Sequence, residues 1–167
     1  MSHLKTAFER TAQALRLRPS LGLDTAVTKA RVREGLICDV EAGPWRFSTD
    51  MPKAIGGTET APTPGVYGRA ALATCLATGY AMYAAKLDVP IESLEVEIQA
   101  DCDDGALFGV STSPPGYLAV RYVVTVESSA PEAEVLRVLD EGDAHSPYLD
   151  VFSRAQKCER VTRIKRR

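Results

Sequence analysis

Apolar and polar residues alternate along 24–33, where Ala26, Thr28, Ala30 and Val32 share one face and Lys29, Arg31 and Arg33 the other. The alternation resumes after Glu34-Gly35 with Leu36, Cys38 and Val40, and after Ala42-Gly43-Pro44 with Trp45, Phe47 and Thr49. Three short period-two runs joined by tight turns predict an antiparallel meander. The pattern then changes. From Thr63 to Leu87 apolar residues fall on every face of a helical projection, which predicts one long buried helix. Thr63 stands where a cap belongs, Pro64 suits the first helical position, and Lys86 suits the negative end of the dipole. Small residues Gly68, Ala71, Cys75 and Gly79 recur at spacings of three and four, a stripe that admits a close neighbour.

Alternation returns at 91–101, with Leu94, Val96, Ile98 and Ala100 opposed to a solvated face of Glu95, Glu97, Gln99 and Asp101. The run 117–127, YLAVRYVVTVE, is apolar on both faces and predicts a central strand. Flanking elements complete the set. A first helix over 2–18 has Ser2 as cap, an apolar stripe of Leu4, Phe8 and Leu15, and Pro19 as its stop. A helix over 129–142 points Val135, Leu136 and Leu139 inward, a short helix opens at Ser146-Pro147 and runs to about Ala155, and 158–165 reads as a terminal strand. Strands grouped without regular alternation with helices indicate the α+β class. The reading is one domain over 1–167, with a helix in 1–20 and a core over 24–165.

Composition narrows the function. A net charge of −2 gives no overall pull toward nucleic acid, and the basic end (Arg160, Arg163, Lys165, Arg166, Arg167) reads as a solvated terminus. Arg69 and the interior glycines and threonines argue against the long helix as a membrane span. The first nineteen residues lack the apolar core of a signal peptide. Cys38, Cys75, Cys102 and Cys158 have no CxxC spacing, so neither a zinc cluster nor a thioredoxin motif is indicated, and reduced thiols in a cytoplasmic protein are expected. No metal or other cofactor is expected.

Two stretches carry a resemblance. FSTDMPKAIGGTETAPTPGVYGRAALATC, 47–75, combines a strand end, a D-x-P turn, a Gly-Gly loop, a proline at a helix start and a helix cysteine. HSPYLDVF, 145–152, stands where relatives commonly read H-C-P before a short helix. In this order the chain resembles the OsmC/Ohr family of organic hydroperoxide reductases over roughly 24–164. The resemblance implies an antiparallel sheet wrapped around a long central helix, in an intertwined homodimer with its sites at the subunit interface. It implies a peroxidatic thiol at Cys75, oxidised by a hydroperoxide to a sulfenic acid. Two positions depart from the family. Its second, resolving cysteine aligns with Ser146, which cannot form a disulfide. The glutamate that orients an arginine against the thiolate aligns with Gly65, and Arg31 or Arg33 matches that arginine only loosely.

Each site residue has two readings. Cys75 is a redox thiol or a small buried hydrophobe. Ser146 is a polar group facing Cys75, a helix cap before Pro147, or both. His145 is a base beside the thiol or a solvated loop residue. Cys158 is a substitute resolving thiol or a bystander, while Cys38 and Cys102 read as structural. Trp45, Phe47, Tyr80 and Tyr83 are core or interface packing, or the walls of an apolar pocket. A Cys75, Ser146 and His145 hydrolase lacks the strand–turn–helix elbow that presents a nucleophile. Two functions follow: a one-cysteine peroxide reductase served by an external thiol, or a non-catalytic relative binding a small apolar ligand at the dimer interface.

Overall fold

The computed structural model describes residues 3–166. Helix α1 (His3–Leu17) leads to the meander β1 (Thr28–Glu34), β2 (Ile37–Ala42) and β3 (Trp45–Thr49), then to the long α2 (Pro64–Leu87). There follow β4 (Ser93–Asp101), a one-turn α3 (Asp104–Leu107), β5 (Ala119–Glu127), α4 (Glu132–Ala144) and α5 (Pro147–Ser153). This is an α+β chain, as the pattern predicts. Its antiparallel strands form two separate sheets, β1-β2-β3 and β4-β5, rather than one. Ser2, expected as a cap, lies outside the described residues. Among those described, no helix is long and apolar enough to cross a membrane.

Helix α2 has the predicted bounds. Pro64 occupies the first turn, and Asp88 turns left-handed at φ 55 so that its N–H closes on the Ala84 and Ala85 carbonyls. Thr63 is extended, as a cap residue should be, yet its side chain makes no cap bond. The helix is buried along one stripe rather than all round. Leu72, Leu76, Tyr80, Tyr83 and Ala84 are buried, while Val66, Ala70, Thr74, Thr78 and Ala81 are exposed. Leu72, Leu76 and Tyr80 pack against the inner face of β4 and β5 (Val96, Ile98, Val120, Tyr122) and against Leu139 and Phe152. Each fully buried leucine there contributes on the order of 1.5–3 kcal/mol. A second cluster joins Tyr83, Ala84, Val89 and Val138, with Phe8 of α1 edge-on to Tyr83 at 5.5 Å between ring centroids.

Four expectations are corrected. Strand β5 is not central: it pairs with β4 alone, and Val123 on its outer face is 47% exposed. In α4 the inward stripe is Val135, Val138, Leu139 and Gly142, spaced i, i+3, i+4 and i+7, and Leu136 points outward; the helix starts at Glu132 rather than Ser129. Residues 158–165 form no strand. No sheet edge pairs with them, and Val161 and Ile164 are exposed. Trp45 is no core residue: it lies 72% exposed on β3. The acidic face of β4 is solvated as expected, with Asp101 held by a bidentate bond from Arg121 at 2.7 and 2.8 Å.

Candidate functional site

The loop before α2 is built on one carboxylate. Asp50 is fully buried and accepts bonds from the backbone N–H groups of Met51, Thr58 and Thr60 and from both threonine hydroxyls. The Thr58 hydroxyl, at 2.6 Å, does most to hold the carboxyl well below the ordinary range, followed by the Thr60 N–H. The Gly-Gly pair has a steric reason. Gly56 is left-handed at φ 92, and a Cβ on Gly57 would sit 1.7 Å from the Met51 carbonyl oxygen. Beyond the loop, Tyr67 donates its hydroxyl to the Ser48 carbonyl at 3.1 Å and its ring meets Phe47. The start of α2 is thereby tied to the end of β3, and the cysteine two turns further on is aimed.

The opposite wall comes from the end of α4. A Cβ on Gly142 would lie 2.4 Å from the Tyr80 ring, so only glycine lets α4 come this close to α2. The Asp143 carboxylate then accepts the Tyr80 hydroxyl at 2.5 Å and the Tyr122 hydroxyl at 2.9 Å, joining α4 to α2 and β5. Burial pushes both phenols up, and the Asp143 bond adds to it. Two residues later the chain reaches His145 and Ser146. Ser146 is buried, and its oxygen accepts the Leu149 N–H, capping α5 ahead of Pro147.

That same oxygen lies 3.5 Å from Cys75 Sγ. The structure thus brings together Cys75 and Ser146, and both roles read for Ser146 are present at once. Either atom can donate in this contact, since an oxygen that accepts from Leu149 keeps its own hydrogen and a second lone pair. Cys75 is half-buried on the floor of a groove of about 660 Å³. Phe8, Ala71, Met82, Tyr83, Pro147 and Tyr148 give it a largely apolar wall, and His145 stands on its rim with Thr74 and Thr78. Among the described residues no Arg, Lys, Asp or Glu lines it.

Other residues fall elsewhere. Arg33 pairs with Asp39 at 3.2 Å on the exposed meander and Arg31 is exposed on β1, so neither lines the groove. Gly65 leaves the neighbouring Arg69 guanidinium without a carboxylate at that position. Cys158 is exposed in the C-terminal segment. Cys38 is half-buried on β2, and Cys102 is exposed just past the end of β4 rather than on a strand face; all four cysteines are free. Of the aromatic residues read as pocket walls only Tyr83 is one: Tyr80 is in the core, and Trp45 and Phe47 are on β3. Phe8, Met82 and Tyr148 were not foreseen as walls. Met82 follows Cys75 by seven residues, a spacing that puts both on one helical face.

The geometry provides a thiol beside a serine hydroxyl in an apolar groove, with no second thiol on the wall. A helix-borne cysteine in this α+β frame, opposite a short helix that opens with proline, defines the class. The model of the OsmC-like protein family matches residues 57–159, more than half of the chain, and the chain belongs to that family. The matched span contains both Cys75 and Ser146. Solved structures are similar at low identity. An OsmC-like protein of Mycoplasma pneumoniae is 16% identical, covering 77% of this chain and 87% of that one, with a TM-score of 0.64. An organic hydroperoxide resistance protein OsmC of Legionella pneumophila is 16% identical, covering 78% and 90%, at 0.57. The organic hydroperoxide resistance protein OhrB of Bacillus subtilis is 16% identical, covering 78% and 91%, at 0.51. At such identity the likeness shows the fold. No curated protein sequence matches the chain.

Proposed function

We propose that this protein reduces organic hydroperoxides with a single cysteine, Cys75, at the expense of an external thiol. The observation that carries the reading is Cys75 Sγ at 3.5 Å from Ser146 Oγ, within an apolar groove that has no second thiol. The sulfur attacks the terminal peroxide oxygen, the O–O bond breaks, and the products are an alcohol and a sulfenic acid. A first external thiol condenses with the sulfenic acid to a mixed disulfide and water. A second releases Cys75 as thiol and leaves as the external disulfide. Ser146 cannot resolve the sulfenic acid, but its hydroxyl can donate a hydrogen bond to the new oxygen. Support comes from the family and from neighbours named for organic hydroperoxide resistance. A role in oxidative-stress defence in the cytoplasm fits four free thiols. A homodimer would cover the apolar face that the meander leaves open, where Val32 is 63% and Trp45 72% exposed.

The test is peroxide consumption with cumene or t-butyl hydroperoxide and dithiothreitol, beside Cys75→Ser. Thiol-dependent consumption that disappears in the variant is the expected result. Equal background rates in both would instead favour a non-catalytic relative that holds a small apolar ligand. One observation favours that second reading: among the described residues no Arg or Lys lines the groove to draw the thiol toward its thiolate.

A further inference from the structure

Breaking an O–O bond by attack of sulfur needs a proton for the departing oxygen, and an imidazole, that of His145, is among the groove's lining side chains. His145 lines the same groove as Cys75 and is next in sequence to the serine that touches the sulfur. Its Nδ1 lies 2.8 Å from the Glu141 carbonyl oxygen. A carbonyl can only accept, so Nδ1 carries a hydrogen, and Nε2 is the ring nitrogen left for another partner. The ring lies against Tyr83, with centroids 5.2 Å apart and planes inclined by 31°. Imidazole orientation is therefore set at two points, although the residue is exposed and can be reprotonated from solvent.

The surrounding groups come from three elements. Tyr83 and Lys86 belong to α2, Glu141 to α4 and Tyr148 to α5. Lys86 sits over the Tyr83 ring at 4.6 Å and reaches the Glu141 carboxylate at 3.8 Å, so its charge is engaged. The other proton-bearing walls are weaker acids. Aliphatic hydroxyls such as Ser146, Thr74 and Thr78 hold their protons far above neutral pH, and Thr74 already donates to the Ala70 carbonyl at 2.7 Å. Phenols release theirs only near pH 10, and burial pushes that of Tyr83 higher.

We infer that His145 is the proton donor of this site, its Nε2 proton passing to the alkoxide oxygen as Cys75 opens the O–O bond. The inference depends on the reading of Cys75 as the peroxide-reacting thiol. In the step, the thiolate electron pair forms the S–O bond and the O–O pair leaves on the alkoxide oxygen. That oxygen takes the Nε2 proton, giving alcohol, sulfenic acid and neutral imidazole.

The leaving group supplies the test. Cumene hydroperoxide expels an alkoxide, which needs the proton; peracetic acid expels a carboxylate, which does not. Second-order rates of Cys75 oxidation are measured without reductant, as loss of free thiol in excess of that in Cys75→Ser, which keeps the other three thiols. His145→Asn keeps an N–H for the Glu141 carbonyl and removes Nε2. His145→Gln puts a non-acidic amide near the Nε2 position. Both variants should react about 10²-fold more slowly with cumene hydroperoxide and within roughly 3-fold of wild type with peracetic acid. Equal slowing with both oxidants, no slowing with either, or recovery in the Gln variant overturns the role of His145. A wild-type Cys75 that reacts with neither oxidant overturns the peroxidatic reading itself, and the proton donor with it.

Discussion

The two sheets of this protein are covered very differently. The inner face of β4-β5 lies on α2, where Leu72 and Leu76 are fully buried and Asp143 ties three elements together. The meander has no such layer over it. Every residue of β1 is exposed, and of the strand residues in this sheet only Val40 and Thr49 are buried. Its ion pairs, Arg33–Asp39 and Arg46–Glu41, are exposed and contribute about 0–1 kcal/mol each. Both sheets have alternating sequences, so alternation states only that one face prefers cover. It does not say whether the cover comes from the same chain. The β4-β5 sheet has its inner face covered by a helix of its own chain, and the meander does not.

Removing a side chain from the covered half should have the largest effect. Leu76 is 0% exposed between α2 and the β4-β5 face. Leu76→Ala should cost about 2–5 kcal/mol, the lost transfer energy plus the cavity. For a chain of this size the melting temperature should fall by roughly 10 °C. A scan that shows a fall no larger than that of a meander substitution would erase the distinction between the halves.

An intermediate effect is expected at the joint. Asp50 organises the loop between β3 and α2 through five accepted bonds. Asp50→Asn turns one acceptor into a donor facing donors, and should lower the melting temperature by roughly 5 °C. The pH dependence has a definite sign. The folded-state carboxyl is held below its ordinary value, chiefly by the Thr58 hydroxyl. Its stabilisation is therefore complete above the unfolded value of about 3.9 and is lost as pH falls through the folded one. The gap between wild type and variant should stay constant from about pH 8 to 5 and narrow below about pH 4. A gap that widens on acidification would contradict the assigned bonds.

The two halves were also unequally legible. Helix α2 could be read to the residue because Pro64, the Ala- and Leu-rich interior and the later Pro90 all agree. In α4 the apolar residues Val135, Leu136, Val138 and Leu139 cover more than one face, and packing against α2 selected Val138 over Leu136 for the inside. The strand expected over 158–165 rested on Val161 and Ile164, which stand three residues apart and so do not share one face of a strand. The facing of Cys75 and Ser146 came through the resemblance alone, since seventy-one residues separate them and no local spacing connects them. Asp50 was passed over as loop, although Asp followed by Thr58-x-Thr60 is a pattern of one acceptor and paired donors. The Tyr80–Asp143–Tyr122 linkage had no local signal either, because it joins three elements.

Trp45 supplies the smallest effect on the chain itself and the sharpest test of what covers the meander. It is 72% exposed and sits opposite Ala42 in the β2-β3 register, away from the clusters around α2. A solvent-exposed substitution with no buried partner changes stability by about 0.5 kcal/mol or less, so the concentration-independent part of unfolding of Trp45→Ser should match wild type. The homodimer proposed above changes the second half of the expectation. If a second copy lies on this face, an exposed tryptophan there becomes a buried anchor, and its loss should weaken association about 10-fold or more. Sedimentation equilibrium gives the association constant, and denaturation at two protein concentrations gives the stability, since mass action raises the melting point only of an associating species. Unchanged stability with weakened association would place the missing cover of the meander in another subunit. A stability loss comparable to that of Leu76→Ala would place it within the chain.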